Sequence, residues 1–251
     1  MPKLNLQILY DRLFEAYGPQ GWWPLLSIKN KSKTSKDPLK RKGYHPEDYD
    51  LPNENQGILE IMLGAILTQN TAWIRAETAL EDLQKQNCLS LPALQQISQE
   101  TLAEYIRTSG FYNQKSRSIK NLLKFLKKYP IKTLKTLDIQ DLRKCLLNVK
   151  GIGPETADSI ILYGFLKPIF VVDAYTRRLL LRLGIFEKAP TYIQVQKKAH
   201  ADLPPKVPLY NEYHALIVKH CVSVCKKTPL CQDCFLNNEC SHNLKAKNLG
   251  S

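Results

Sequence analysis

No apolar run in this 251-residue chain approaches the length that a membrane-spanning helix needs. The first residues, Met1-Pro-Lys-Leu-Asn-Leu-Gln7, also lack the apolar segment of a secretory signal, so the expected location is the cytoplasm, on the nucleoid if the source is prokaryotic. Alternation of apolar and polar residues is almost missing, which argues against half-buried strands, and no repeat of solenoid period is visible. Negative charge is scarce: 23 Asp and Glu stand against 36 Lys and Arg, a formal net charge of +13. Such an excess favours a polyanionic partner, with nucleic acid ahead of an anionic membrane surface. The seven cysteines are an odd number, and four of them crowd together near the C-terminus. That distribution suits metal ligation in a reducing compartment better than a disulfide framework. Cys88, Cys145 and Cys221 read as buried or bystander thiols.

What is present, in nearly every periodic segment, is helical spacing. Leu6, Leu9, Leu13 and Tyr17 mark an amphipathic helix that ends near Gly18-Pro19. From Ile58 to Leu83 the apolar positions keep this spacing, broken by the polar patch Thr68-Gln69-Asn70-Thr71. Further helices are predicted at 91–97, 99–108, 114–128, 138–147, 154–165 and 174–183. The run Pro168-Ile-Phe-Val-Val172 is β-favouring but short, and it reads as a buried connector. The predicted fold is all-α, with on the order of ten helices. A hydrophobic content of 43% and this length allow one large domain or two modest ones. Residues 28–42 stand apart, with seven Lys or Arg against one Asp and almost nothing apolar. That is the composition of a mobile, solvated loop, which either serves solubility alone or meets phosphate loosely.

The clustered cysteines read Cys225-Lys-Lys-Thr-Pro-Leu-Cys231-Gln-Asp-Cys234-Phe-Leu-Asn-Asn-Glu-Cys240, four thiols in sixteen residues. This spacing is compatible with a [4Fe–4S] cluster or a zinc site made of four thiolates. A second motif is Lys150-Gly151-Ile152-Gly153-Pro154-Glu155-Thr156-Ala157. One helix runs into it, and another opens at Pro154, a residue preorganised for the first helical position. Gly151 and Gly153 permit positive φ and leave the backbone uncovered, so successive N–H groups can face a phosphate. The plainer reading is a tight turn between helices. Twenty residues after Gly153, Asp173 follows the apolar Ile169-Phe-Val-Val172 and precedes a helix. It is either only an N-cap, or an ionised carboxylate able to stabilise a sugar cation or orient a water.

The hairpin, the Val-Asp segment and the cysteine cluster, in that order, resemble the endonuclease III superfamily of helix–hairpin–helix DNA glycosylases. His220-Cys-Val-Ser-Val-Cys225 also resembles the segment that leads into that family's cluster, and the likeness spans residues 55–242. It implies two helical lobes with DNA and the catalytic cleft between them. An N-terminal helix, 1–27, would pack with a C-terminal lobe, 169–251. A basic insertion, 28–54, would precede a helical barrel, 55–168, carrying the helix–hairpin–helix at 142–165. The resemblance further implies [4Fe–4S] rather than zinc on Cys225, Cys231, Cys234 and Cys240, and makes Asp173 the catalytic aspartate. Lys150, Gly151, Gly153 and Thr156 fall to the DNA-gripping hairpin. Gln69 and Asn70 fall to the region that fills the gap left by a flipped nucleotide, with Gln69 as the wedge; their plainer reading is a polar break between helices. Gly110-Phe-Tyr-Asn113-Gln-Lys115 resembles another turn of the family, with Lys115 either on a phosphate or a solvated surface lysine.

Two departures bear on the chemistry. Five residues separate Cys225 from Cys231 where the family cluster has six. Glu155 stands where bifunctional members carry the lysine of G-x-G-x-K-T-A that forms a Schiff base. A carboxylate cannot form an imine, which points to base release by water without a strong lyase step. Gly21-Trp22-Trp23-Pro24, with Gly64-Ala-Ile-Leu-Thr68-Gln69-Asn70-Thr71-Ala-Trp73, resembles the 3-methyladenine glycosylase branch. The adjacent tryptophans either pack in the core or, with Pro24, wall a pocket that stacks on a cationic alkylated purine. Such a base leaves as a neutral group without strong acid catalysis. The expected function is a monofunctional glycosylase of base excision repair, a monomer acting on double-stranded DNA that contains a damaged base. The alternatives are a same-fold glycosylase for another lesion with weak abasic-site lyase activity, or a non-enzymatic iron–sulfur DNA-binding protein.

Overall fold

A computed structural model describes residues 4–28 and 43–244, so the basic stretch, apart from Ile28, lies outside the described residues. Among the described residues the regular elements are all helical and no strand occurs. No helix among them is long and apolar enough to cross a membrane. The chain divides into two compact units, one of residues 1–22 and 169–251 and the other of residues 23–168.

The first unit opens with α1 (Leu6–Tyr17), capped by Asn5, whose side chain accepts the Ile8 N–H. Leu6, Leu9 and Leu13 form its buried stripe, as their spacing predicts. Gly18, at φ +64, ends the helix and returns its N–H to the Phe14 carbonyl.

The second unit is arranged around α2 (Asn55–Leu67), in which every residue from Gly57 to Leu67 is buried. A helix without a solvent face must be surrounded by others. Its one buried acid, Glu60, accepts the backbone N–H of Leu26 and so fixes the segment behind Pro24. There follow α3 (Trp73–Lys85), α4 (Leu91–Gln96), α5 (Gln99–Tyr105) and α6 (Tyr112–Lys128), with Ser90 and Ser98 capping α4 and α5. The unit is completed by α7 (Ile131–Thr136), α8 (Ile139–Leu147) and α9 (Pro154–Ser159). The helix predicted over 154–165 is α-helical only to Ser159. Ile160–Gly164 is a π turn, with Gly164 lying close against Ile58 and Ile61 of α2.

The chain re-enters the first unit through Ile169–Val172, buried and without regular structure, which is the connector the sequence predicts. Then come α10 (Ala174–Arg182), α11 (Tyr192–Asp202) and α12 (Val207–Ser223). Helix α12 packs on α1 and α10. Tyr213 donates to the Leu6 carbonyl at 2.8 Å and meets the Phe170 ring edge-on. Neither α11 nor α12 is among the helices predicted from spacing. α11 buries only Val195 and Ala199, and α12 buries Asn211, Glu212, His214 and His220 among its apolar residues, so neither shows a clean stripe.

Candidate functional site

In the second unit the hairpin between α8 and α9 is held from three sides. Arg143 of α8 grips the fully buried Asp158 of α9 in a bidentate pair, Nε to Oδ1 at 2.7 Å and Nη2 to Oδ2 at 3.2 Å. Asn121 of α6 donates to the Lys150 carbonyl at 3.0 Å. Gly151 has φ +102, and a Cβ there would lie 2.1 Å from Ser118 Oγ, so both conformation and space demand glycine. Gly153 is different: its φ is −95 and a Cβ would meet nothing within 4 Å. That backbone is open on its outer side. Lys150 and Glu155 are exposed beside it, and Thr156 is buried.

Gln69 is brought to this hairpin. Its Nε2 donates to the Gly151 carbonyl at 2.9 Å and to Thr156 Oγ1 at 3.0 Å. Asn70 beside it is exposed in a left-handed conformation, φ +52. Gln69, Gly151 and Thr156 therefore form one hydrogen-bonded group with Lys150 and Asn70 at its border.

Lys115 is neither a phosphate contact nor a solvated surface lysine, contrary to both readings of the sequence. It is 2% exposed, and its Nζ donates to Leu67 O, Thr71 Oγ1 and Ser109 O at 2.7, 2.9 and 2.7 Å. Burial pulls its pKa down to about 8. The turn exposes Phe111 along with Asn113 and Gln114, and the sequence motifs assign Phe111 no role. It is 64% exposed at φ +47, directly after Gly110 at φ +64. The signal available was an aromatic residue placed at a glycine turn.

Trp23 is 5% exposed and sits edge-on to Trp73 with ring centroids 5.2 Å apart, and tilted against Tyr163 at 5.4 Å. A Cβ on Gly64 would come within 3.1 Å of its ring, so a glycine on α2 makes room for it. His45 hydrogen-bonds the Trp23 carbonyl at 2.8 Å, and Pro24 is buried beside it. Trp22, the less buried of the pair, belongs to the first unit. There Glu212 of α12 accepts the N–H groups of Gln20 and Gly21 at 2.8 and 3.4 Å, anchoring the backbone just ahead of Trp22.

Asp173 is the N-cap of α10, so the plain structural role is real. Its Oδ1 accepts both the N–H and the hydroxyl of Thr176, at 2.6 and 2.7 Å. Oδ2 lies 3.7 Å from Nε2 of His214 on α12, longer than an ordinary hydrogen bond. Burial raises the pKa of this carboxyl, but His214 and the two Thr176 donors outweigh burial and leave it below the ordinary carboxylate value. The residue is 8% exposed and ionised near neutrality. His214 is a second group missed from sequence, where it is one histidine in a helix that spacing does not predict.

Cys225, Cys231, Cys234 and Cys240 line a single cavity in the first unit together with Leu179, Val224 and Leu230. All seven cysteines of the chain are free thiols. Arg182 secures the loop that carries them, donating to the Lys227 carbonyl at 2.9 Å and to Cys225 Sγ at 3.3 Å. The Cys221 thiol hydrogen-bonds Cys225 and, with Arg182, holds it below the usual thiol value, while Cys221 is pushed up by the same bond and by burial. Among the described residues no three His, Cys, Asp or Glu side chains stand close enough to hold one metal ion. Four cysteines around one cavity have the donor type and number of a four-thiolate site, whether for zinc or a four-iron cluster.

A family model described as the HhH-GPD superfamily base excision DNA repair protein matches residues 63–205. A protein of Methanocaldococcus jannaschii, provisionally named a DNA repair glycosylase, is 35% identical over 238 residues, covering 92% of this chain and 94% of the relative. The endonuclease III of Sulfolobus acidocaldarius is 28% identical over 76% of this chain and 85% of its own. Among solved structures, the Helicobacter pylori 3-methyladenine DNA glycosylase bound to 1,N6-ethenoadenine is 27% identical, with a TM-score of 0.62 over 86% of this chain and 97% of that one. A non-covalent endonuclease III–DNA complex shares the fold at 17% identity, with a TM-score of 0.71 over 98% of this chain and 99% of that one. With its all-helical units, the glycine hairpin opening at Pro154 and the capped Asp173, the chain belongs to the HhH-GPD superfamily of base excision DNA repair proteins, the endonuclease III superfamily its motifs resemble.

Proposed function

We propose that this protein is a monofunctional DNA glycosylase that releases alkylated purines of the 3-methyladenine type from duplex DNA by hydrolysis. The observation that carries the reading is Asp173: a buried, ionised carboxylate with one oxygen committed to Thr176 and the other, Oδ2, left facing His214. An anion fixed in this way stabilises a developing sugar cation or orients the attacking water without having to reorganise. An N-alkylated purine carries positive charge and leaves as a neutral base, so little acid catalysis is required of the protein.

The remaining residues have roles around that step. Lys150, Gly151, Gly153 and Thr156 hold a phosphate at the open backbone of the hairpin. Gln69 and Asn70 fill the space of the extruded nucleotide, and the exposed Phe111 ring enters the stack nearby. Trp22, the less buried of the two tryptophans, provides the face on which the electron-poor base stacks. Cys225, Cys231, Cys234 and Cys240 hold a [4Fe–4S] cluster. When bound, that group braces the loop between Cys225 and Cys240 and takes no part in glycosidic cleavage.

Glu155 on the first turn of α9 leaves the hairpin without a Schiff-base amine. Lys115 is no substitute, since each of its three N–H donors is already engaged in the interior. The likeness to the Helicobacter pylori 3-methyladenine glycosylase supports the substrate class. A duplex with a single 1,N6-ethenoadenine tests the reaction type. The expected result is a strand that breaks only after alkali, with no borohydride-trapped adduct. Strand breakage without alkali, or a strong covalent adduct, would contradict the monofunctional reading.

A further inference from the structure

Lys115 is a buried cation with no carboxylate among its three hydrogen-bond partners. Burying an ammonium is costly unless all its donors are satisfied, and here the count closes. The hydroxyl proton of Thr71 goes to the Ser109 carbonyl at 2.6 Å, so Thr71 Oγ1 is left as an acceptor for Nζ. Three donors meet three acceptors. One acceptor, the carbonyl of Leu67, belongs to the last residue of α2, where the helix dipole is negative and carbonyls lack intrahelical partners.

The position of these acceptors matters more than their number. Leu67 and Thr71 bracket Gln69 and Asn70. Ser109 immediately precedes Gly110 and the exposed Phe111. One ammonium thus joins the base of the Gln69 loop to the base of the Phe111 turn. Gln69 must give up its bonds to Gly151 and Thr156 if it is to enter DNA, because its own side chain makes them. The Lys115 bonds involve only the flanks of both segments and can persist through insertion.

We propose that Lys115 is a positioning residue that locks the Gln69–Asn70 loop to the Phe111 turn, so that the two enter the duplex as one rigid unit during base extrusion. The inference rests on the reading of this chain as a base-extruding glycosylase. Separating stacked bases is costly at each step. Loops free to yield against each other would bend before the duplex does.

The test compares wild type with Lys115→Met and Thr71→Val; the second keeps the lysine and removes one of its acceptors together with the Thr71–Ser109 bond. In the free proteins, amide hydrogen exchange over residues 66–71 and 109–112 is expected to quicken about tenfold in Lys115→Met and by less in Thr71→Val. Single-turnover excision is then measured on a lesion opposite its normal partner and on the same lesion opposite an abasic nucleotide, where no pairing resists extrusion. The paired substrate is expected to lose about tenfold or more, with the unpaired one nearly restored. Unchanged exchange, or equal losses on both substrates, would overturn the proposal. If wild type excises neither substrate, the glycosylase reading fails while the exchange arm still decides the lock. If Lys115→Met does not fold, Lys115→Gln, which leaves the Thr71–Ser109 bond in place, decides it by the same two comparisons.

Discussion

The imidazole Nε2 of His214 stands 3.7 Å from Oδ2 of Asp173, while Oδ1 of the same carboxylate is taken by the N–H and hydroxyl of Thr176. The two oxygens are thereby given different work, one closing α10 and the other presenting charge. Replacement by Asn keeps a cap acceptor and removes the charge; replacement by Ala removes both. Asp173→Asn is expected to melt close to wild type and to bind DNA, yet to lose excision. Asp173→Ala is expected to lose excision and about 1 kcal/mol of stability as well. Denaturation midpoints and single-turnover excision separate the two, and full activity in the Asn variant would remove Asp173 from the reaction.

His214 is expected to affect excision through Asp173, the carboxylate it faces. In His214→Gln the carboxylate keeps its Thr176 donors and loses the imidazole beside Oδ2. Excision is expected to fall about tenfold, the equivalent of ~1.4 kcal/mol, with DNA affinity unchanged. The same factor should vanish in an Asp173→Asn background, since coupled residues are not additive. An undiminished His214 effect there would show that the histidine acts independently.

The hairpin glycines differ in kind. Gly151→Ala puts a methyl group against Ser118 on a backbone at φ +102, so the hairpin is expected to shift and stability to drop by roughly 1–3 kcal/mol. Gly153→Ala meets no atom and no forbidden φ. Its melting temperature should match wild type while its affinity for undamaged duplex, read by fluorescence anisotropy, falls. Equal affinity in Gly153→Ala would show that no phosphate approaches that backbone.

The pH dependence of stability carries the signature of Lys115. Burial lowers its folded pKa to about 8, against about 10.4 in the unfolded chain. Between those values the unfolded chain binds more protons at this residue than the folded one, so its contribution to unfolding free energy rises with pH. Leu67 O, Thr71 Oγ1 and Ser109 O, the atoms that face Nζ, do not titrate. Wild type should therefore gain stability relative to Lys115→Met from pH 8 to 10, and show no such gain below pH 7. Urea unfolding at stepped pH reads this directly, and a flat difference would place the lysine in solvent.

Iron content tests the cysteine cavity. Protein purified without oxygen is expected to be brown, with about four irons per chain, and to lose them when Cys231 or Cys234 is replaced by Ser. A colourless protein with one zinc per chain would overturn that assignment.

Much of this was legible in the sequence where chemistry and spacing coincide. The stripe of Leu6, Leu9 and Leu13, the buried run of α2 and the Gly151 turn follow from periodicity and backbone sterics. Helix α12 was not legible, because the buried Glu212 and His214 that anchor the Trp22 segment and face Asp173 are the residues that break its apolar pattern. Lys115 was hidden for a different reason. In a chain with 36 Lys and Arg, one more lysine looks like surface. Only the meeting of Leu67, Thr71 and Ser109, distant in sequence from it or from each other, reveals an interior cation. Phe111 gave only the signal of an aromatic residue beside a glycine, because exposure is a property of the folded turn and not of the residue type.

The central claim is that Asp173 drives hydrolytic release of alkylated purines, and the direct measurement is chromatography of the bases freed from methylated duplex DNA. Wild-type protein is predicted to liberate 3-methyladenine, and Asp173→Asn to liberate none above the spontaneous rate. Release of uracil or thymine from mismatched duplexes, with no 3-methyladenine from the methylated one, would contradict the account.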